Sequence, residues 1–499
     1  MYPSLEEIKK YQAAGCYDYA AVKEELYSDT YTAISVLKRL RDVSNHVFLL
    51  ESAENIGRTG RWTFLGFDPV LEVTAMSGKV RLREKKDGKI VETYNREASP
   101  KQVLREILSQ NRRPRQEGFP PFSGGFAGYF SYDYVKYSEE KLQEQLTHPG
   151  SDFLDMDMML FRELIIFDHY RGRLIFLSLV DLKDPEASYE EASKKIAYMV
   201  NVVRNGFSYH FRRLVLKSGF TTLHGKEDYY QMVEKTREYI REGDIFQAVI
   251  SNPMRAEAEG SLFDTYRILR TSNPSPYMFY FTSDDIEIAG ASPETLLKLE
   301  DGILYTYPLA GTRKRGATIA EDKALEESLL ADEKELSEHN MLVDLGRNDI
   351  GKVSKVGSVK VTSFHEVVRY SHVMHIASTV TGELREDLDG LDAIESILPA
   401  GTLSGAPKIR AAEIINELER SPRGVYGGAI GYIDLSGNLD TCISIRLAYM
   451  KNGKVIVHTG SGIVADSNPG FEAEECLNKG QAVLSALKAA TEGIDDFID

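Results

Sequence analysis

Cysteine is scarce in this chain, with Cys16, Cys442 and Cys476 the three present in 499 residues. Their number and spacing exclude a disulfide framework and a zinc cluster. None lies in a Gly-x-Cys-x-Gly turn, so neither cysteine catalysis nor a glutamine-hydrolysing domain built on a cysteine nucleophile is expected. Tryptophan occurs once, as Trp62. No run of about eighteen apolar residues is present, which excludes a membrane-spanning helix. The opening Met1-Tyr2-Pro3-Ser4-Leu5-Glu6-Glu7 lacks the basic-then-apolar order of a signal peptide, and the expected location is the cytoplasm. Basic charge is also short: 60 Lys and Arg stand against 76 Asp and Glu, a formal charge of -16. Such a surface repels a phosphate backbone and argues against nucleic acid as a partner. An anionic small molecule could bind only where local cations or a metal offset the field.

What is present is ordinary globular material, 42% hydrophobic and 27% charged. Val47-Phe48-Leu49-Leu50 and Trp62-Thr63-Phe64-Leu65-Gly66-Phe67 read as strands. Lys79 to Arg83 enters a hairpin with Asp87-Gly88 as its turn. A second hairpin is centred on Asp168-His169-Tyr170-Arg171-Gly172. A helix over about Glu186 to Val203 precedes a polar, basic stretch, Arg204 to Gly225, that reads as a linker. This places one region at 1–205 and another at 226–490, with the two interleaved. In the second, a helix ends at Gly243 and a strand covers Ile245 to Ser251. Strand–turn–strand units follow at Ile286–Ala289 with Leu296–Leu299, then Gly302–Tyr305. Late strands cover Ala429–Ile433, Thr441–Tyr449 and Lys454–Thr459, and a helix over about Phe471 to Ala490 follows. The expected class is α+β, with mostly antiparallel sheets backed by helices.

The most informative residues are two Glu-x-x-Glu units, Glu335 with Glu338 and Glu472 with Glu475. Spacing of three puts each pair on one helix face. Four converging carboxylates would make a hard-oxygen site suited to Mg²⁺; the alternative is two solvated acidic faces. Three glycine-rich turns could present backbone donors to an anion: Pro308 to Arg313 with Gly311 and Thr312, Gly401 to Lys408 with Thr402, and Thr459 to Asp466 with Gly460, Ser461 and Gly462. Arg446 and Lys479 are candidate cations, although Lys479 also reads as an i,i+4 partner of Glu475. His375 titrates in the range for proton chemistry or serves as a structural histidine. Glu294, after Pro293 between strands, could act as a general acid if its pKa is raised.

Taken together, the strings between Asp228 and Leu487 resemble the chorismate-utilising enzymes. The resemblance implies a layered α/β/β/α fold and Mg²⁺ bridging protein and the ring carboxylate of chorismate. It implies Glu338 and Glu475 as direct ligands, with Glu335 and Glu472 holding coordinated water. Gly311, Thr312, Gly460, Ser461 and Gly462 become substrate contacts. Tyr426 and Arg446 hold the enolpyruvyl carboxylate, with Lys479 nearby. Glu294 becomes the general acid for the departing ring hydroxyl, His375 assists pyruvate elimination, and Thr402 sits close to the same reacting groups. Relatives usually carry Gly-Ala-Gly where this chain has Gly460-Ser461-Gly462.

Members that use water carry a lysine at the place of Gln247, and those that form a covalent adduct carry one at the place of Ala310. Both substitutions leave ammonia as the nucleophile. The implied reaction yields anthranilate and pyruvate from chorismate and ammonia, the ammonia being free or delivered by a glutamine amidotransferase small subunit. The alternatives are an aminodeoxychorismate synthase component and, remotely, a non-catalytic tryptophan-binding regulatory subunit. Leu49 to Ser52 and Gly60 to Gly66 resemble the feedback segment of the ammonia-using large subunits, with Asn273 to Met278 as its other wall. Glu51, Ser52, Pro276, Tyr277 and Met278 are thereby implied to bind L-tryptophan. Arg61-Trp62-Thr63 stands where arginine-tyrosine-serine is commoner.

Overall fold

Strands buried at every position, such as Met156–Phe161 and Gly125–Phe130, need apolar layers on both faces. In the computed structural model, which describes residues 1–494 apart from 53–59, 87–88, 96–97, 147, 149–150 and 370–372, two large sheets supply them. Among the described residues they hold 13 and 12 strands. Each sheet draws on both halves of the chain. In the first, Val47–Glu51 pairs with Tyr277–Thr282, Leu50 opposite Phe279. In the second, Gly125–Phe130 pairs with Ala429–Asp434, Tyr129 opposite Ile430. Both pairings are antiparallel, as the hairpin-rich pattern required.

One core fills the space between the sheets, where Phe48, Phe126, Phe161, Leu297 and Ile430 are buried. Phe122 stacks on Tyr432 there at 4.4 Å between ring centroids. A second core lies on the outer face of the first sheet, with Leu37, Ile196, Leu269 and Leu487 contributed by four helices. Helices Glu333–Gly351 and Gly390–Ile397 pack on the second sheet. The result is the helix–sheet–sheet–helix layering expected of an α+β chain. No described helix is long and apolar enough to cross a membrane.

Element ends follow the local chemistry. The helix Lys226–Glu242 stops at Gly243, which adopts φ 84°. The helix Pro469–Glu492 starts with Pro469 and with Asn468 accepting from the Gly470 and Phe471 amides. The hairpin Lys79–Lys86 with Lys89–Asn95 forms, while its Asp87-Gly88 turn lies outside the described residues. The stretch read as a linker adds the short strands Val215–Leu216 and Thr221–Thr222 to the first sheet.

Two sequence readings are corrected. Glu287–Ser292 and Thr295–Glu300 are not partners in one hairpin: the former belongs to the first sheet and the latter to the second. The span Thr441 to Tyr449 is not one strand. It breaks into Leu439–Ile443 in the second sheet and Leu447–Lys451 in the first, with Arg446 at φ 53° in the break. Apolar periodicity is the same on either side of each break, so the jump between sheets leaves no trace in it.

A buried ion pair fastens the helix Lys408–Glu419 beneath these breaks. Arg423, 1% exposed, donates to Glu419 through Nε at 2.9 Å, to the Leu403 carbonyl at 2.6 Å and to the Val249 carbonyl at 2.6 Å. Glu419 also accepts from the Ser251 amide at 2.7 Å. Arg423→Met would strand the Glu419 carboxylate without its cation. The expected loss is about 3–5 kcal/mol of unfolding free energy, read from the shift in denaturant midpoint.

Candidate active site

The two breaks between the sheets lie side by side and knit together. The Ser292 hydroxyl donates to the Ile443 carbonyl at 2.7 Å, the Ile443 amide to the Glu294 carbonyl at 3.0 Å, and the Ala291 amide to the Arg446 carbonyl at 3.1 Å. Glu294 is carried at this corner, just before a register irregularity between Thr295 and Leu297. Irregularities of this kind turn a side chain out of the ladder. Burial pushes the Glu294 carboxyl up to about 7, while the Thr402 hydroxyl and the Lys479 ammonium hold it down. The Thr402 hydroxyl is buried and makes no fully formed hydrogen bond of its own. Thr402 lies in the short helix Gly401–Leu403, next to Gln247: the Val249 amide donates to Ser404, and Gln247 pairs with Ala406.

Two of the three segments read as glycine turns prove to be strands. Leu309–Lys314 pairs with Val373–Glu383 and slips register between Ala310 and Thr312, where Gly311 takes φ 70°. A Cβ on Gly311 would stand 3.2 Å from Glu335 Oε2, so this backbone abuts the first acidic helix. His375 Nδ1 lies 3.0 Å from the Gly311 carbonyl and 3.1 Å from Thr312 Oγ1. A carbonyl only accepts, so Nδ1 carries the proton and Nε2 is the basic nitrogen of the neutral ring. Burial lowers the His375 pKa, with Arg446 adding to the effect and Gly311 and Glu335 opposing it. Gly460, Ser461 and Gly462 lie within the strand Lys454–Ile463, opposite Ser251, Ile250 and Val249. Here glycine serves close packing: a Cβ at Gly460 would stand 2.9 Å from both the Ile250 carbonyl and the Tyr426 hydroxyl.

The acidic pairs ride on helices from opposite layers. Glu335 and Glu338 lie in the first turns of Glu333–Gly351, and Glu472 and Glu475 in those of Pro469–Glu492. The helices meet at one mouth: the Glu338 carboxyl is raised first by burial, then by the charges of Glu335 and Glu475, with Lys334 and Lys479 opposing. Glu338 and Glu475 nevertheless remain open to water. The carboxylates are not a ready cage. Arg313 reaches Glu335 at 3.3 Å, Lys479 pairs with Glu475 at 2.7 Å, and the Ser461 hydroxyl donates to Glu472. Among the described residues, no three acidic, histidine or cysteine side chains converge closely enough as they stand to hold an ion. The donor set and the net repulsion at Glu338 fit a hard divalent cation in place of those partners.

The cations line the same mouth. Lys479 Nζ donates to the Gly460 carbonyl at 3.2 Å, and Arg446 donates to the Lys479 carbonyl. Arg446 is largely enclosed, and burial lowers its pKa. Among the described residues it forms no ion pair. Tyr426, buried, stacks on His458 at 4.4 Å, and Ser251 joins His458 to the Glu419–Arg423 pair. This supporting chain was missed by the sequence reading. Its one local signal is the i,i+4 spacing of Glu419 and Arg423, which exposed pairs such as Glu190 with Lys194 share.

Glu51, Ser52, Pro276, Tyr277 and Met278 come together elsewhere. All five line a cavity of about 1310 Å³ between the sheets, with Arg61 and Trp62 also in its wall. Glu51 is held by Arg270 at 2.6 Å and by the Tyr266 hydroxyl, neither of which the sequence had marked. Arg61 lies 4.3 Å over the Trp62 ring and is anchored by Asp168 at 2.8 Å. Pro293 and Thr295, which flank Glu294, line this cavity too.

Residues 45–485 match the chorismate binding enzyme family, and the chain belongs to it. Among curated relatives, it is 43% identical to anthranilate synthase component 1 of Acetivibrio thermocellus over 98% of this chain and 99% of that one. It is 41% identical to the protein of that name from Pseudomonas aeruginosa over 97% and 98%. The crystal structure of anthranilate synthase component I from Streptococcus pneumoniae superposes with a TM-score of 0.74 at 36% identity, over 86% of this chain and 93% of that one. The menaquinone-specific isochorismate synthase of Escherichia coli shares the fold, with a TM-score of 0.70 at 18% identity over 97% and 98%.

The tautomer deduced for His375 can be measured. Nitrogen NMR of imidazole-labelled protein, assigned with His375→Asn, should give a neutral ring protonated on Nδ1, with a titration midpoint shifted down from that of an ordinary histidine.

Proposed function

We propose that this protein converts chorismate and ammonia to anthranilate, pyruvate and water at the corner between its two sheets. The observation that carries the reading is Arg446, an enclosed guanidinium with no ion pair among the described residues. A charge left uncompensated in such a place suits a carboxylate supplied by a ligand. With Tyr426 and Lys479 it would hold the enolpyruvyl carboxylate, while Gly311, Thr312 and Gly460 to Gly462 contact the substrate. Both lysines that would divert the chemistry are missing: Gln247 cannot deprotonate water, and Ala310 cannot attack the ring.

The roles follow from protonation state. Glu294 keeps its proton up to about pH 7 and can give it to the departing ring hydroxyl as ammonia adds. The neutral His375 ring can accept a proton at Nε2 as pyruvate leaves and the ring becomes aromatic. Glu338 and Glu475 would ligate Mg²⁺ directly, with Glu335 and Glu472 holding its water. Bound there, the ion would supply positive charge to the ring carboxylate of chorismate. The acidic mouth otherwise repels a dianion, which gives a cation a second use.

The same reading makes the cavity around Glu51, Ser52, Pro276, Tyr277 and Met278 a site for L-tryptophan as feedback inhibitor, with Trp62 as a reporter on its wall. A glutamine amidotransferase small subunit supplies ammonia, since no nucleophilic cysteine turn occurs in this chain.

The purified protein should generate anthranilate fluorescence from chorismate and ammonium, lose it with chelator, regain it with magnesium, and remain silent with glutamine. Turnover of glutamine by the lone chain would refute the division of labour, and a non-aromatic amino product would favour the aminodeoxychorismate alternative. Glu294→Gln should lower kcat by at least about a hundredfold. In the parent, kcat/KM for chorismate referred to free ammonia should fall as pH rises through about 7, where Glu294 loses its proton. The variant should lack that limb.

A further inference from the structure

We propose that the Tyr277 hydroxyl is a positioning group for Glu294, acting through the side chain of Thr295. This rests on the reading of Glu294 as the general acid. Tyr277 belongs to the first sheet, opposite Ser292 on the strand that leads into the corner. Its side chain crosses to the second sheet, where its hydroxyl lies 2.9 Å from Thr295 Oγ1 and 2.8 Å from Asp440 Oδ1. Tyr277 is thus a strut between the two sheets at the point where the chain passes from one to the other.

The hydrogen-bond directions can be assigned. The Tyr277 hydroxyl donates to Asp440 Oδ1, and that bond together with Lys298 counters the rise that burial imposes on the Asp440 carboxyl. Tyr277 therefore gives its single proton to Asp440, and its oxygen receives the Thr295 hydroxyl. That arrangement fixes the rotamer of Thr295, the residue directly after Glu294. The Glu294 backbone is held less firmly on its other side, where its amide meets Ser292 Oγ at 3.3 Å. Thr295 opposes Cys442, and the ladder then slips before Leu297. A slip of this kind leaves one residue unpaired, so regular sheet bonds do not by themselves set the direction of the corner. The polar strut adds a side-chain constraint to the bond between the Ile443 amide and the Glu294 carbonyl. It does so from the wall of the cavity, since Tyr277, Thr295 and Asp440 all line it.

Tyr277→Phe keeps the ring and removes only the hydroxyl. With saturating ammonium, it should lower kcat by about tenfold and leave the KM for chorismate within about twofold, because binding groups are untouched. The decisive comparison is a double-mutant cycle: in a Glu294→Gln background, Tyr277→Phe should cost nothing further, since there is no acid left to aim. A merely structural tyrosine would lower the residual rate of that background by the same factor. Equal losses in both backgrounds, an unchanged kcat, or a change confined to KM each overturn the proposal. If Glu294→Gln retains the parental kcat, the general-acid reading falls and takes the positioning role with it. If it is crippled while Tyr277→Phe is fully active, only the positioning role falls. Should Tyr277→Phe fail to fold, Thr295→Val removes the other end of the same bond and carries the same cycle.

Discussion

The constraint on which the structure depends is that two of the chain's passages between the sheets, after Ser292 and after Ile443, lie at adjacent places and must leave no buried backbone group unpaired. A buried amide or carbonyl without a partner costs about 1–3 kcal/mol, so each break in the ladders has to be repaired locally. Ala291, Ser292, Glu294, Ile443 and Arg446 make those repairs with one another. Because the repaired corner is neither a regular strand nor a solvated loop, its side chains point into enclosed space rather than along a pleat. Glu294 acquires its raised pKa there, and Arg446 its enclosure.

Charge balance at this corner explains much of the surrounding architecture. Carboxylates arrive on two helices from opposite layers, and each finds an interim partner in Arg313, Lys479 or Ser461 except Glu338, which bears the repulsion of its neighbours. Such a mouth exchanges partners readily, because exposed ion pairs contribute little individually. The deeper layer is built the opposite way. Glu419, Arg423, Ser251 and His458 are fully buried and mutually bonded, so they brace Tyr426 and the Leu403 carbonyl without freedom to rearrange. Adaptable charges face the opening, and rigid ones stand behind it.

The cavity between the sheets belongs to the same geometry. Its wall mixes aromatic side chains such as Trp62, Phe64, Phe279 and Tyr432 with the polar Glu51, Asp440 and Lys298. Its lining meets the corner at Pro293 and Thr295, on either side of Glu294. Two compartments of different chemistry thus share three consecutive residues of backbone.

The sequence by itself determined the elements and the inventory of reactive groups. Apolar alternation gave most of the strands, and Gly243 gave the end of one helix. Three-residue spacing put Glu335 with Glu338, and Glu472 with Glu475, on single helix faces. These are properties of neighbours along the chain, which local sterics and hydrogen bonding enforce. Only the tertiary structure decided that Glu287–Ser292 and Thr295–Glu300 lie in different sheets, that the Gly311 and Gly460 segments are strands rather than turns, and that Arg270 and Tyr266 hold Glu51. A strand buried on both faces presents the same apolar run whichever sheet receives it. The choice is made by packing against partners hundreds of residues away, and that information is not carried by any short window of the chain.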